Sequence, residues 1–212
     1  MLSKSLTTLA LPAAFAAPAI AQGDVPAACS PPGSLLIYPI HTSGLYSFTI
    51  LNVTNTNTLP TTPISLGGST NIKFDYYNVQ RNPEDRFCPD ACTVFDKVEA
   101  LTPADTLSVL TTCHNADGFV PAYDDDMNQV DAAGAEGYVV IHAQDPAAYN
   151  QAWSHNYLIG SELVLTTTGL SFSIPAVTFR SAGPHGAKLA TSDDPQRMLD
   201  GVQYAAVRDE FY

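Results

Sequence analysis

The sequence predicts an all-β protein, an Ig-like antiparallel β-sandwich of about seven to nine strands joined by long loops. Short apolar runs that alternate with polar residues recur along the chain, and Pro, Gly and Asn separate them. Alternation with a period of two gives a strand one apolar face, and many short strands between turn residues are typical of two packed sheets. No long helical pattern and no internal repeat competes with this prediction.

The first segment of the chain predicts export. Lys4 gives a positive start, Leu9–Ile20 is apolar, and Ala19-Ile20-Ala21 has the small-residue spacing of a signal-peptidase site. We therefore expect residues 1–21 to be removed as a secretion signal. The mature protein is expected to be secreted, in the extracellular space or at the cell surface.

Two strands are predicted between residues 34 and 53. Ser34–Ile40 is an apolar run, and Leu45–Val53 alternates, with Tyr46, Phe48 and Ile50 on one face. The sequence then reads Thr-Asn-Thr-Asn-Thr-Leu-Pro, a composition that ends strands. A loop is therefore expected before the next strand.

The third predicted strand, Thr70–Val79, alternates clearly. Lys73 and Asp75 are expected to face outward. Three apolar side chains are expected to face the core: Ile72, Phe74 and Tyr76.

Three more strands are predicted in the second half of the sandwich. Gly137–Ala143 is apolar on both faces, which indicates a central strand. Asn156–Leu165 and Leu170–Phe179 follow it, and Pro175 interrupts the second of these. The inward side chains of that last strand are expected to be Leu170, Phe172 and Ile174.

The chain is divided into a β-sandwich domain, residues 22–180, and a C-terminal extension, residues 181–212. The extension is expected to supply a late or exchanged strand at Val202–Val207. A helical pattern is confined to Ala147–Ser154 and Asp194–Leu199, each about one or two turns long.

A hairpin is predicted around the turn Thr102–Asp105, whose proline at the second position is favourable turn chemistry. Val94–Leu101 and Thr106–Thr112 are its two strands. A symmetric hairpin with this turn places Cys92 directly opposite Cys113, close to the distance that a disulfide bridges.

The four cysteines are predicted to form two disulfides, because an exported protein meets an oxidising compartment. We favour Cys92–Cys113 together with Cys29–Cys88, which ties the N-terminal segment to the loop before the hairpin. A Cys88–Cys92 bridge is the main alternative. A metal site that adds His114 to three cysteines is a further alternative, but its spacing is irregular for structural zinc.

Residues 117–136 form the one segment whose composition suggests binding. Asp124-x-Asp126-x-Asn128 repeats the odd-position oxygen spacing of calcium loops. Gln129 and Ala135 stand where an EF-hand has Gly and Glu, so the loop is irregular. The predicted calcium ligands are Asp124, Asp126, Asn128 and Asp131. A solvated acidic loop without an ion is the alternative.

The net charge limits the partners. The chain has a formal net charge of −12 at pH 7, which repels nucleic acid and anionic membrane surfaces. After the leader no apolar run reaches about 18 residues, so no membrane span is expected. The expected partners are extracellular proteins, glycans or further copies of the chain, and no cofactor other than calcium is expected.

No catalytic residue is predicted. The chain has no Gly-x-Ser-x-Gly elbow, no His-Glu-x-x-His motif and no glycine-rich phosphate loop. The five histidines are scattered, and His142 in the predicted central strand is expected to have a structural role.

Three stretches carry a resemblance to other proteins. They are Leu45–Val53 with Thr-Asn-Thr-Asn-Thr, the Leu-Thr-Pro-Ala-Asp-Thr-Leu hairpin, and Gly-Tyr-Val-Val-Ile-His-Ala with Asn156-Tyr-Leu-Ile-Gly. In these stretches the chain resembles uncharacterised exported bacterial β-sandwich proteins, over about Ser34–Leu165. The resemblance implies a fold and no active site.

We therefore expect a secreted, non-enzymatic β-sandwich protein with a surface, matrix or binding role. The first alternative is a self-assembling subunit of an extracellular fibre or surface layer, through strand addition at Val202–Tyr212 or Ser34–Ile40. The second alternative is a secreted polysaccharide-active hydrolase, which requires a cleft with converging carboxylates or histidines.

Overall fold

The computed structural model describes residues 31–44, 46–81, 89–115, 122–123, 129–131, 136–189, 199 and 201–206. Within them the protein is an all-β antiparallel sandwich with nine strands in two sheets, which confirms the predicted fold class. Among these residues no helix has the length and apolarity needed to cross a membrane.

In chain order the strands are β1 (Leu35–Thr42), β2 (Ser47–Asn55), β3 (Thr70–Arg81), β4 (Pro89–Leu101), β5 (Thr106–Leu110), β6 (Ala122–Tyr123), β7 (Gln129–Asp131), β8 (Glu136–Gln144), β9 (Leu158–Thr166), β10 (Ser171–Pro175) and β11 (Val177–Phe179). A helical turn, α1 (Thr111–His114), follows β5. The five-stranded sheet has the order β11-β1-β8-β3-β4, and the four-stranded sheet has the order β10-β9-β2-β5. Strands β6 and β7 pair with each other.

The core lies between the inner faces of the two sheets. Ile72, Phe74 and Tyr76 of β3 point into it and are fully buried, as their alternation predicts. Leu51 and Val53 of β2 pack against them from the four-stranded sheet. Removing such side chains from water contributes about 1.5–3 kcal/mol each, so this layer is the main source of stability.

The strand faces confirm one prediction and correct another. Gly137–Ala143 lies in β8, the central strand of its sheet, as predicted. The stretch Leu170–Phe179 is not one inward-facing strand, because it divides into β10 and β11 on different sheets. The predicted inward residues Leu170 and Phe172 are 63% and 38% exposed, since β10 is an edge strand that reaches past the core.

The predicted hairpin is wrong, because its two strands belong to different sheets. Strand β4 pairs with β3, and β5 pairs with β2. The turn chemistry itself is present: Asp105 accepts hydrogen bonds from the backbone and hydroxyl of Thr102 at 3.2 and 3.0 Å. An amide N–H of Asn55 in β2 also donates to the Thr102 carbonyl at 3.0 Å. The turn therefore carries the chain across the sandwich.

The described part of the C-terminal extension packs on the sandwich. Ser181 forms a bridge with Tyr204, and the Tyr204 ring is buried with Leu35 and Phe179 in a second apolar cluster. Residues 202–206 do not form the predicted strand. Where a helix was expected at 147–154, residues 147–150 form turns, and Ala152 and Trp153 form isolated β-bridges. Of the predicted helix at 194–199, all but residue 199 lies outside the described residues.

Candidate functional site

The predicted calcium ligands are not tested by the structure. Asp124, Asp126 and Asn128 lie outside the described residues, and Asp131 lies in β7 without a described side chain. Strands β6 and β7, which flank this acidic stretch in sequence, pair with each other. Within the part of the chain that the structure describes, no group of three or more His, Cys, Asp or Glu residues is placed to hold a metal. Calcium binding therefore stays a prediction.

The disulfide prediction loses its geometric basis. Cys113 lies on α1 and is exposed with a free thiol, and Cys92 lies opposite Val79 on β4. The two residues do not face each other across a hairpin, because that hairpin does not exist. Cys29 and Cys88 lie outside the described residues, and the Cys92 side chain is not described. The pairing remains for peptide mapping under non-reducing conditions to decide.

The outward side of the four-stranded sheet is the most distinctive surface among the described residues. Strands β2, β5, β9 and β10 contain a single charged residue, Glu162, and its side chain is buried inside the sandwich. The outward side chains are therefore all uncharged, and we call this surface the uncharged face. Its apolar members are Phe48, Ile50, Leu110, Ile159, Leu163 and Leu165.

The strand register arranges the uncharged face in rows. Residues directly opposite in antiparallel strands share one side of the sheet. Phe48 lies opposite Leu165, and Ile50 lies between Leu110 and Leu163. These two rows make about half of the face apolar. The neighbouring rows carry Asn, Ser and Thr together with Ile159, which lies opposite Thr54.

The polar half of the uncharged face satisfies its own hydrogen bonds. The Ser108 hydroxyl donates to the Asn52 side-chain oxygen at 2.6 Å, and the hydroxyls of Thr54 and Thr106 lie 2.9 Å apart. A polar group that already has a partner costs less to remove from water than an unpaired one. Another surface can therefore cover this face without leaving these polar groups buried and unpaired.

The five-stranded sheet differs sharply in charge. On its outer side, the Lys73 ammonium lies 3.3 Å from Asp75 and 3.0 Å from Asp96. The ring of His142 lies 3.4 Å from the Asp75 carboxylate. Burial lowers the pKa of Lys73, but Asp96 and Asp75 outweigh it and raise the pKa above its ordinary value. Lys73 and Asp75 face outward as predicted, yet both are buried.

Glu162 is a buried acid beneath the uncharged face. It is fully buried, and neither carboxyl oxygen has a hydrogen-bond partner. Burial raises the pKa of Glu162 to about 7, because the charged form is poorly solvated there. The backbone N–H of Ile40 opposes this rise without reaching ordinary hydrogen-bond geometry. The Tyr38 hydroxyl crosses the sandwich nearby and donates to the Asn52 carbonyl at 2.8 Å.

His41 is a second buried group without a partner. A register irregularity between Tyr38 and His41 lets both side chains point inward, although an odd spacing of three positions would place them on opposite faces of a regular strand. The imidazole is fully buried, and neither ring nitrogen makes a hydrogen bond. It packs edge-on against the Tyr76 ring, with 5.5 Å between the two ring centroids. Burial lowers the pKa of His41 to about 4, an effect that the nearby Asn78 amide only partly opposes. The ring is therefore neutral at neutral pH.

The helical turn α1 places His114 in the same layer of the core. Its Nδ1 lies 2.7 Å from the Tyr76 hydroxyl, and its Nε2 lies 3.5 Å from Glu99. Burial lowers the pKa of His114 most, and the positive charge of Lys97 lowers it further. Asn115, the next residue, exchanges two amide hydrogen bonds with Asn78 at 2.7 and 3.3 Å. These groups form an internal polar layer rather than an open catalytic cleft.

His155 is held in one tautomer at the other end of the core. Both amide hydrogens of Asn55 donate to backbone carbonyls, at 2.7 and 3.0 Å, so its side-chain oxygen must accept. The His155 Nε2 lies 3.0 Å from that oxygen and therefore carries the proton. Its ring stacks on Trp153, and burial, assisted by His185, lowers the pKa of His155 to about 3.

Sequence reasoning did not find these features. The signal for the uncharged face is present in the sequence, because four strand segments contain one acidic residue on a strongly acidic chain. The strand register is needed to show that this residue, Glu162, faces inward. The burial of His41 depends on a register irregularity in β1, and the residue pattern of β1 does not predict that irregularity.

Comparisons with known proteins do not identify a family. No family model matches the chain, and no curated protein matches it. A solved structure from Thermotoga maritima, described as Thermotoga maritima 1070, is similar with a TM-score of 0.39 and 8% sequence identity. The match covers 74% of this chain and 98% of that one. A similarity at this level supports no statement about function.

Proposed function

We propose that this chain is a secreted, non-enzymatic β-sandwich protein that works by binding. The observation that carries the proposal is the uncharged face, a half-apolar sheet surface on a chain with a net charge of −12. Charged residues are depleted at the centres of protein interfaces, and contiguous exposed apolar patches mark interaction sites. The export signal that the sequence predicts at residues 1–21 supports an extracellular setting for that interaction.

The positions of the ionisable groups favour binding over hydrolysis. A hydrolase needs an acid, base or nucleophile within reach of substrate. Three acid or base groups whose pKa values burial shifts strongly, Glu162, His41 and His155, are fully buried, which suits internal structural roles.

The proposal is tested by photo-crosslinking from the uncharged face. A photoreactive phenylalanine at Leu163 is expected to give a defined crosslinked product on cells that export the protein. The same residue at Ile64, a loop position that is 97% exposed, is the matched control. Products from Ile64 but none from Leu163 would contradict the proposal. Amino-terminal sequencing of exported protein that begins at Met1 would contradict removal of residues 1–21.

A fibre subunit is a second candidate, favoured by β10. This edge strand has no charged residue, and Phe172 on it is 38% exposed. Natural sheets usually protect their edges with charges, bulges or covering loops, since an open edge can accept a strand from another molecule. Negative-stain microscopy of the exported protein is expected to show filaments if this candidate is correct. Discrete particles at every concentration would exclude it.

A further inference from the structure

We propose that the partner of the uncharged face is a second copy of this chain, stacked on it as a closed two-fold dimer. The inference rests on the proposed binding function and names its partner. In such a dimer the same surface on both copies forms the interface, so the surface must complement itself.

The size of the face is sufficient for a reversible dimer. Strand β9 has nine residues and spans about 30 Å, and four strands cover about 19 Å across the sheet. Since β5 and β10 are shorter, the face measures roughly 450 Å² in each copy. Stacking two faces hides on the order of 1,000 Å² in total, which is the lower end of specific interfaces. Association is therefore expected to depend on concentration.

The chemistry of the face suits contact with itself. The apolar rows around Ile50 can pack on their own two-fold mates, as the inner faces of two sheets do in a sandwich. The polar rows enter the interface with hydrogen bonds already made between Ser108 and Asn52 and between Thr54 and Thr106. Neither half requires a charged group from a partner.

The distribution of charge favours this arrangement over other partners and other orientations. A foreign protein that recognises so acidic a chain is expected to offer basic residues, and the uncharged face has no carboxylate to receive them. In a face-to-face dimer the two five-stranded sheets, whose outer sides carry Asp75 and Asp96, lie on opposite sides of the dimer. With sheets about 10 Å apart, these charges are separated by roughly 30 Å, several screening lengths at physiological salt.

Sedimentation velocity of the full exported protein, from nanomolar to submillimolar concentration, tests the inference. The wild type is expected to convert from monomer to dimer, more readily at physiological salt than at about 0.01 M, where the screening length approaches the separation of the charges. Ser161→Asp puts two carboxylates in the dimer interface and is expected to weaken it at least about tenfold. Ser65→Asp, an exposed loop substitution of equal charge, is the matched control and is expected to dimerise like the wild type.

A second variant guards against misfolding. Ile50→Thr keeps a β-branched residue and removes apolar surface, and it is also expected to weaken the dimer while its circular dichroism stays unchanged. A wild type that remains monomeric throughout would overturn the inference. So would a dimer that both Ser161→Asp and Ile50→Thr leave intact, or a series of growing oligomers. A monomeric wild type that still crosslinks a different protein through Leu163 would leave the binding function standing, whereas no crosslink at all would remove both proposals.

Discussion

Replacing Glu162 by Gln is expected to stabilise the protein at alkaline pH and to have a smaller effect at acid pH. The folded protein holds this carboxyl with a pKa of about 7, against an ordinary value of 4.5 in the unfolded chain. As pH rises through that window, the unfolded chain releases its proton before the folded protein does. Stability is therefore lost progressively from about pH 4.5 to about pH 7 and levels off above it.

The size of the effect follows from the two pKa values. A tenfold difference in proton affinity corresponds to about 1.4 kcal/mol, so the charged carboxyl costs the folded state about 3 kcal/mol above pH 8. Gln has nearly the same shape and no charge. Burying the Gln amide has a cost that does not depend on pH. This cost cancels when the difference in unfolding free energy between variant and wild type at about pH 8 is compared with the same difference at about pH 4.

Urea unfolding of the wild type and of Glu162→Gln at several pH values measures this difference. Asp145→Asn is the control, because it removes a carboxylate in an exposed turn, where it accepts a hydrogen bond from the Ala147 backbone at 2.8 Å. The gain with alkaline pH is expected for Glu162→Gln and not for Asp145→Asn. A difference between Glu162→Gln and wild type that does not change with pH would refute the reasoning, because it would mean that Glu162 is solvated or paired.

Three further outcomes are expected. Gly160→Ala should lower the free energy of unfolding in urea by about 3 kcal/mol, because the added alanine methyl group would overlap the Tyr38 hydroxyl. Adding Tyr38→Phe to this variant removes that hydroxyl and should recover part of the loss. His155→Gln should reduce the loss of stability as pH falls from 6.5 towards 3, since the wild-type imidazole has a folded pKa of about 3. Calcium should raise the melting temperature of the wild type but not of Asp124→Ala with Asp126→Ala; equal shifts in both would reject the site.

The sequence correctly predicts strands that have one apolar and one polar face. It does not predict which strands pair with each other when the chain crosses from one sheet to the other. Alternation in β3 is sufficient to assign Ile72, Phe74 and Tyr76 to the core, because the period of a strand is local information. Turn chemistry at Thr102 and Asp105 indicates a reversal of direction. It does not determine whether the next strand pairs with the previous one or crosses to the opposite sheet, which depends on packing over the whole sandwich.

The candidate site was predictable only in part for the same physical reason. The absence of charge in β2, β5 and β10 can be read from the residues, but a surface exists only once the register places these strands side by side. The buried polar groups are less predictable still. Lys73 occupies an outward-facing position in the alternation of β3, yet it is buried against two carboxylates. No residue pattern within β3 predicts this burial.

The buried groups also contribute to the pH dependence of folding stability. His41 and His155 have folded pKa values of about 4 and about 3, below the ordinary value of 6.5, so the stability they support is present above 6.5 and is lost as pH falls. Glu162 acts in the opposite sense between 4.5 and about 7. Where the windows overlap, the two histidines outweigh the one carboxyl until about pH 7, because part of the unfolded-state imidazole is still protonated above pH 6.5. By themselves, these three groups therefore favour a stability maximum near pH 7, where Glu162 is about half ionised.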